Sequence, residues 1–319
     1  MAASLFSVDS DGIVSPRAVR LAAWSVALAA VGYLGLSLWA GWREVMAAFV
    51  RVGLPVTAGV LALSLLNYLL RFARWQHYLD LLGHPVPWGA SCRIYFAGFA
   101  LTTTPGKVGE LLRGILLKPH GVPLIESTAA FLSERTADLL TILLLTSMVF
   151  WLYPNGTPLV AGVMIFAVAV VAAVQFPGWI HAVDAWAHRR TARWAMALAH
   201  LCDIVLGFRR CFRWTTLSWA LLLGIIAWGA EAVAFHWLLV ALGHPLPLPM
   251  AVFIYAFAML VGSVSFLPGG LGGNEAVMVA LLIANGLPEP VAVSATILCR
   301  LATLWFAVAL GALALVRSK

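Results

Sequence analysis

The sequence predicts an all-α integral membrane fold: a polytopic bundle of about six full spans plus two broken re-entrant hairpins, arranged as an inverted internal repeat. Three observations predict it. The 319 residues are 62% apolar and 10% charged, whereas soluble domains average about 45–50% and about 25%. The apolar residues come in runs long enough to cross ~30 Å of hydrocarbon as helices, for instance residues 21–40, 55–70 and 217–242. Two further stretches, each of about 12 residues, follow Pro-Gly breaks and at ~1.5 Å per residue are too short to span.

The elements follow in chain order. Residues 1–20 are polar and hold Asp9, Asp11, Arg17 and Arg20. The apolar segment after them is too long for a signal-peptide core, so residues 21–40 read as an uncleaved first span. A second span covers residues 55–70. Residues 94–104 end at Pro105-Gly106, and a short helical stretch follows over 107–117. Spans at 127–152 and 159–176 come next. The interval 179–213 places Ile180, Val183, Trp186, Trp194, Leu198, Leu201, Val205 and Phe208 among Arg189, Arg190, Arg193, Arg209, Arg210 and Arg213. That spacing predicts an amphipathic helix lying on an anionic leaflet. Residues 217–242, 250–266 (broken at Pro268-Gly269-Gly270), 274–285 and 291–316 complete the chain.

An internal repeat organises these elements. Leu82-Gly83-His84-Pro85-Val86-Pro87 recurs as Leu242-Gly243-His244-Pro245-Leu246-Pro247, with Tyr95 opposite Tyr255. Pro105-Gly106-Lys107-Val108-Gly109-Glu110 matches Pro268-Gly269-Gly270-Leu271-Gly272, with Glu275 following. Gly121-Val122-Pro123 matches Gly286-Leu287-Pro288, and Arg135 matches Arg300. The chain is thus one membrane domain of four parts: tail and first span (1–51), repeat 1 (52–152), an extra span with the basic amphipathic segment (153–213), and repeat 2 (214–319).

The formal charge of +7 reports topology rather than nucleic-acid binding. With Arg17 and Arg20 inside, alternating spans put Arg71, Arg74, Arg93, Lys118, the six-arginine interval, Arg317 and Lys319 in the cytoplasm, and only Arg43 and Arg51 outside. Both termini are expected to be cytoplasmic, in a cell (inner) membrane. The first hairpin then enters from the cytoplasmic side and the second from the outer side, so the copies are inverted, an architecture of transporters. Four scattered cysteines and eight histidines without His-x-x-His or His-x-x-x-His spacing predict neither a zinc site nor a disulfide framework. No cofactor is expected.

The Pro-Gly breaks free backbone N–H groups that lipid cannot satisfy, so such turns are buried in protein or line a wet cavity. The helices after them, opening at Lys107 and Asn274, present N-termini suited to a phosphate. Lys107 and Arg113 add positive charge, and Glu110 and Glu275 place a carboxylate in each first turn, where helix capping is an equally good reading. Gly269, Gly270 and Gly272 serve either the hinge or close helix packing. Glu134, Arg135 and Asp138 lie inside one span and Arg300 inside another; a charge there costs roughly 2.5–3.5 kcal/mol on insertion scales and by default is functional. An ion pair of Asp138 with Arg135 in their own helix is the structural alternative. Arg300 needs a counter-ion from elsewhere: Glu275, Glu134, Glu110 or a bound anionic headgroup. Glu231 is a further intramembrane acid, or a cross-helix hydrogen-bonding group. Arg71 and Arg74 are expected to snorkel to the cytoplasmic interface.

Pro105-Gly106-Lys107-Val108-Gly109-Glu110-Leu111-Leu112-Arg113, then Glu134-Arg135-x-x-Asp138, and later Pro268-Gly269-Gly270-Leu271-Gly272-x-x-Glu275 and Arg300, resemble the flippase-like membrane domain of lysylphosphatidylglycerol synthases and its stand-alone relatives. The resemblance covers nearly the whole chain from the second span onward. It implies a multi-span inner-membrane protein that moves a lipid or helps to modify one. Larger members carry a soluble aminoacyl transferase domain; this sequence ends at Lys319 without one, so aminoacyl transfer is not expected from it. Stand-alone relatives are associated with hopanoid or polyprenyl-linked glycan pathways.

The expected function is a lipid translocase. An anionic phospholipid or polyprenyl-phosphate headgroup is held by Arg135, Arg300, Lys107 and the helix N-termini, and passes between leaflets as one repeat rocks against the other. Without a Gly-x-x-x-x-Gly-Lys-Ser/Thr motif, energy would come from an ion gradient or downhill lipid flow, with Glu110, Glu134, Asp138 or Glu275 as proton carriers. The alternatives are an integral-membrane transferase using Glu134 or Glu275 as general base, and an accessory scaffold beside a lipid-synthesis enzyme. Paired loop aspartates, a metal cluster and an activated nucleophile are all missing from the sequence, which weighs against the enzyme.

Overall fold

The structure is a computed structural model that describes residues 42–102, 112–147, 193–265 and 268–316, together with isolated positions at 35 and between 161 and 189. Most of the spans predicted at 21–40 and 159–176 and the first Pro-Gly turn with Lys107 and Glu110 lie outside the described residues. Within them the chain is helical: α1 (Trp42–Leu81), α2 (Trp88–Phe99), α3 (Leu112–Leu117), α4 (Leu124–Thr146), α5 (Arg193–Cys211), α6 (Trp214–Ala241), α7 (Leu248–Val264), α8 (Gly273–Ala284), α9 (Glu289–Arg300) and α10 (Phe306–Val316).

Among the described residues, three helical segments are long and apolar enough to cross a bilayer: Trp42–Leu81, Trp214–Ala241 and Glu289–Leu315. α6, at 28 residues, extends about 42 Å. α7 and α8, with 17 and 12 residues, reach only about 25 and about 18 Å. α1 is two helices joined at Gly53, whose φ of 72° breaks the helical run. Pro55 follows in the first turn of the second piece, where its missing N–H costs nothing. α9 continues into α10 through a π-helical turn, Leu301–Trp305, immediately after Arg300; such turns frequently occur at functional sites.

Lipid tails are as apolar as leucine, so these helices cannot associate by hiding oily surface from water and rely on close packing. The interfaces accordingly use small residues. Ala129, Ala130, Ala137, Ala220, Ala227, Ala232, Ala251 and Ala295 are wholly buried. α1 and α6 share the most extensive contact, and Gly59 leaves room for the ring of Trp237, 2.9 Å from where a Cβ would stand. α5 lies against α4, with Gly207 on Ala129; its Ala199, Cys202 and Cys211 are buried while Leu201 is exposed.

Several turns have matching form. α1 and α6 both end in a left-handed glycine, Gly83 (φ 91°) and Gly243 (φ 81°). In each the following histidine N–H donates to a carbonyl of the last turn, His84 to Leu79 and His244 to Leu239, both at 3.0 Å. α2 and α7 then start after Pro87 and Pro247. Gly121 (φ 80°) and Gly286 (φ 88°) close the segments before α4 and α9, which start after Pro123 and Pro288.

Candidate functional site

The intramembrane charges fall into two buried groups. In the first, α4 places Glu134 and Asp138 one turn apart on its inward face, where they are 0% and 5% exposed. Glu134 Oε2 accepts from Arg113 Nη1 at 2.7 Å, and Oε1 accepts from Arg135 at 2.8 Å, Tyr95 Oη at 2.8 Å and Arg71 at 3.1 Å. Asp138 pairs with Arg71 at 3.1 Å and Arg135 at 3.2 Å, bonds Arg74, and accepts from Trp228 Nε1 at 3.2 Å. Arg113 lies over the Tyr95 ring, 4.2 Å from its centroid, and Arg71 over Trp228 at 5.2 Å. Faces of aromatic rings suit desolvated guanidinium groups, and each such contact adds roughly 0.5–2 kcal/mol.

This geometry corrects one expectation. Arg71 and Arg74 do not snorkel: they are 7% and 0% exposed, and their partners are acids of α4. The helix continues beyond the apolar run 55–70 to Leu81, with Trp75, Tyr78 and Leu79 wholly buried around the arginines. A buried guanidinium opposite a buried carboxylate needs no route to the interface.

The second group is simpler. Arg300 donates from Nε to Glu275 Oε1 at 2.6 Å and from Nη2 to the Gly269 carbonyl at 2.8 Å. Glu275 Oε2 also accepts the Gly272 N–H at 2.7 Å. Of the counter-ions expected for Arg300, the structure therefore pairs it with Glu275, which at the same time caps α8. The glycines have separate roles. Gly269 offers its carbonyl, Gly272 its N–H, and Gly270 (φ 68°) lets the turn approach α7 so closely that a Cβ would lie 3.1 Å from the Gly262 carbonyl oxygen. Asn274 is buried against Gly262 and directs its side-chain N–H toward Met259 Sδ.

The two groups meet at a partly open cleft of about 60 Å³. On a scale of about 10–15 Å³ per water, that is space for a few waters or one phosphate-sized group. Arg71, Arg135, Arg300 and Glu231 all line it, with Tyr68, Trp228, Phe99, Met259 and the π-turn residues Thr303 and Leu304. Tyr68 Oη donates to the Thr303 carbonyl inside that turn. Glu231, 3% exposed, accepts a hydrogen bond from Tyr255. Of the residues singled out in the sequence, Arg135, Arg300 and Glu231 thus share one cleft, while Arg113, Glu134, Asp138 and Glu275 stand behind it as ion-pair partners. Lys107 and Glu110 lie outside the described residues.

Sequence reasoning sent Arg71 to the interface and passed over Tyr68 and Trp228, although a signal was present. Arg71 lies eleven residues before Leu82 and Glu231 eleven before Leu242; Tyr68 and Trp228 each lie fourteen before the same leucines. Phe99 and Met259 follow those leucines by seventeen.

Comparison with known proteins gives the same family throughout. Residues 23–311 match the family described as the lysylphosphatidylglycerol synthase TM region. A UPF0104 membrane protein of Methanothermobacter thermautotrophicus is 24% identical over 90% of each chain. One from Pyrococcus horikoshii is 30% identical over 32% of this chain and 31% of its own.

Proposed function

From the premise that this chain belongs to the lysylphosphatidylglycerol synthase TM-region family, a family of membrane proteins, we propose that it is a translocase for a phosphate-bearing lipid. The headgroup occupies the cleft and the tails remain in the bilayer. One observation carries this reading: Arg71, Arg135 and Arg300, from three different helices, line a single partly open cleft of phosphate size. An inert scaffold would have no use for an intramembrane cationic cleft, given the cost of placing arginines there.

The wider architecture belongs to the same proposal. The protein crosses the membrane about six times, with cytoplasmic termini, in a cell (inner) membrane. Residues 52–152 and 214–319 form inverted repeats whose Pro-Gly segments are re-entrant. Four features support this: the short α7 and α8, the matching glycine turns, the matched proline starts of α4 and α9, and a cleft lined by residues at equal offsets in the two copies. A site where oppositely inserted repeats meet is where alternating access operates.

Phosphatidylglycerol with a fluorescent headgroup, in vesicles carrying the pure protein, tests the reading. Protein-dependent exposure of inner-leaflet label to a membrane-impermeant quencher, with the lipid unchanged by mass spectrometry, is the expected result. A covalently altered lipid would establish a transferase instead, and no movement with no alteration an accessory role. The discriminating variant is the double Arg300→Met, Glu275→Gln, which removes one of the three cleft cations without stranding its partner acid. It is expected to slow movement at least about tenfold while staying folded, since each charge-assisted hydrogen bond contributes roughly 1.5–3 kcal/mol.

A further inference from the structure

The acids of the site are not equivalent. Glu134, Asp138 and Glu275 each face at least one guanidinium at salt-bridge distance. Glu231 has no ion pair among the described residues, and its hydrogen-bond donor is the neutral Tyr255 hydroxyl. It nevertheless lines the cleft beside three arginines. The groups that face it come from every neighbouring helix: Tyr68 and Arg71 of α1, Arg135 and Asp138 of α4, Tyr255 of α7, and Cys299 and Arg300 of α9. Among these described residues and their partners, four buried guanidiniums (Arg71, Arg74, Arg113, Arg300) and the half-buried Arg135 stand against four carboxylates (Glu134, Asp138, Glu275, Glu231). With Glu231 ionised the set is one charge positive, and Glu231 competes with any arriving anion for the same field.

Resting on the translocase reading, we propose that Glu231 is the proton-binding site of the cleft, which takes up one proton as the phosphate of the lipid binds. Protonation neutralises the carboxylate that, among the described residues lining the cleft, lacks a cationic partner, so that the phosphate meets the three arginines, still paired with the acids behind them, without a competing charge inside the cleft. Release of that proton restores a carboxylate beside the anion and expels it. Because linkage is reciprocal, a proton that favours phosphate binding is itself held more firmly once phosphate is bound. Glu134, Asp138 and Glu275 are unsuited to this role, since protonating any of them would strand a buried guanidinium.

The test uses the detergent-purified full chain and dibutyrylphosphatidylglycerol, a water-soluble phosphodiester whose own charge does not change between pH 6 and 8. Titration calorimetry in buffers of different ionisation heat counts the protons taken up. The wild type is expected to take up close to one proton in the upper part of that range, with affinity falling about tenfold per pH unit there. Glu231→Gln, which mimics the protonated acid, is expected to bind with no uptake and no pH slope. Tyr255→Phe deletes the donor to the ionised carboxylate, so the pH midpoint of binding is expected to move upward. Wild-type binding without proton uptake, or uptake that persists in Glu231→Gln, would overturn the proposal and leave the translocase reading standing, as would an unmoved midpoint in Tyr255→Phe. Absence of any wild-type binding would instead overturn the phosphate-lipid reading on which it rests.

Discussion

Replacing Arg300 by methionine would delete one member of an ion pair whose side chains are 3% and 8% exposed. Glu275 would lose its 2.6 Å hydrogen bond from Nε and retain the Gly272 N–H at 2.7 Å, and the Gly269 carbonyl would lose its 2.8 Å donor. Removing one partner from a buried pair costs about 3–5 kcal/mol, because the surviving charge remains in a low-dielectric site without compensation. That is roughly two to three and a half powers of ten in the folding equilibrium. Glu275→Gln leaves Arg300 as the stranded partner and is expected to cost a similar amount. The double variant strands neither, so its loss should fall short of the sum of the single losses by about 0.5–3 kcal/mol. Denaturant unfolding of the four proteins in mixed micelles measures this cycle. Single losses that sum to the double within ~0.5 kcal/mol would refute the pairing.

Arg74→Met is expected to destabilise by about 3–5 kcal/mol, because it breaks the buried pair with Asp138. Arg93→Met, which alters only an exposed contact to the Gly89 carbonyl, should stay within about 0.5 kcal/mol of wild type. If the two variants melt alike, the buried position of Arg74 is wrong. Gly270→Ala and Gly121→Ala separate conformational from steric cost. Both glycines have left-handed φ, but an added Cβ at 121 meets open space and at 270 meets the Gly262 backbone at 3.1 Å. The first should cost about 1–2 kcal/mol and the second more, read as loss of folded protein on heating in detergent.

Composition and periodicity carried the membrane class, the long apolar helices and the glycine break at Pro268–Gly270. The short α8 over Gly273–Ala284 lies within a residue of the predicted 274–285. The counter-ion of Arg300 was legible only as one of four candidates, and the fold picks Glu275, in the first turn after the second break. The fate of Arg71 and Arg74 was not legible locally. An apolar run followed by arginines reads as a span reaching the interface, and the acids that reverse this reading lie more than sixty residues away, at Glu134 and Asp138. Local pattern fixes where a helix can be; only the pairing of distant charges decides whether it ends in water. Equal sequence offsets from two copies of one motif could have placed Arg71 in the interior, since they match it to the intramembrane Glu231 before any coordinates are known.

Under the proposed repeat, Arg135 and Arg300 are alike at matched positions, whereas Arg71 and Glu231 are opposite. The difference bears on transport. Four guanidiniums in a space of about 60 Å³ would hold a phosphate too firmly for a carrier, which must bind strongly enough to capture its cargo and weakly enough to release it. One carboxylate among three guanidiniums weakens the trap, and a carboxylate that can take and lose a proton weakens it at one stage of the cycle only. On that argument Glu231→Arg should bind dibutyrylphosphatidylglycerol more tightly than wild type and yet move labelled lipid more slowly. A variant that gained both affinity and speed would show that release does not limit this protein, and that the glutamate serves packing alone.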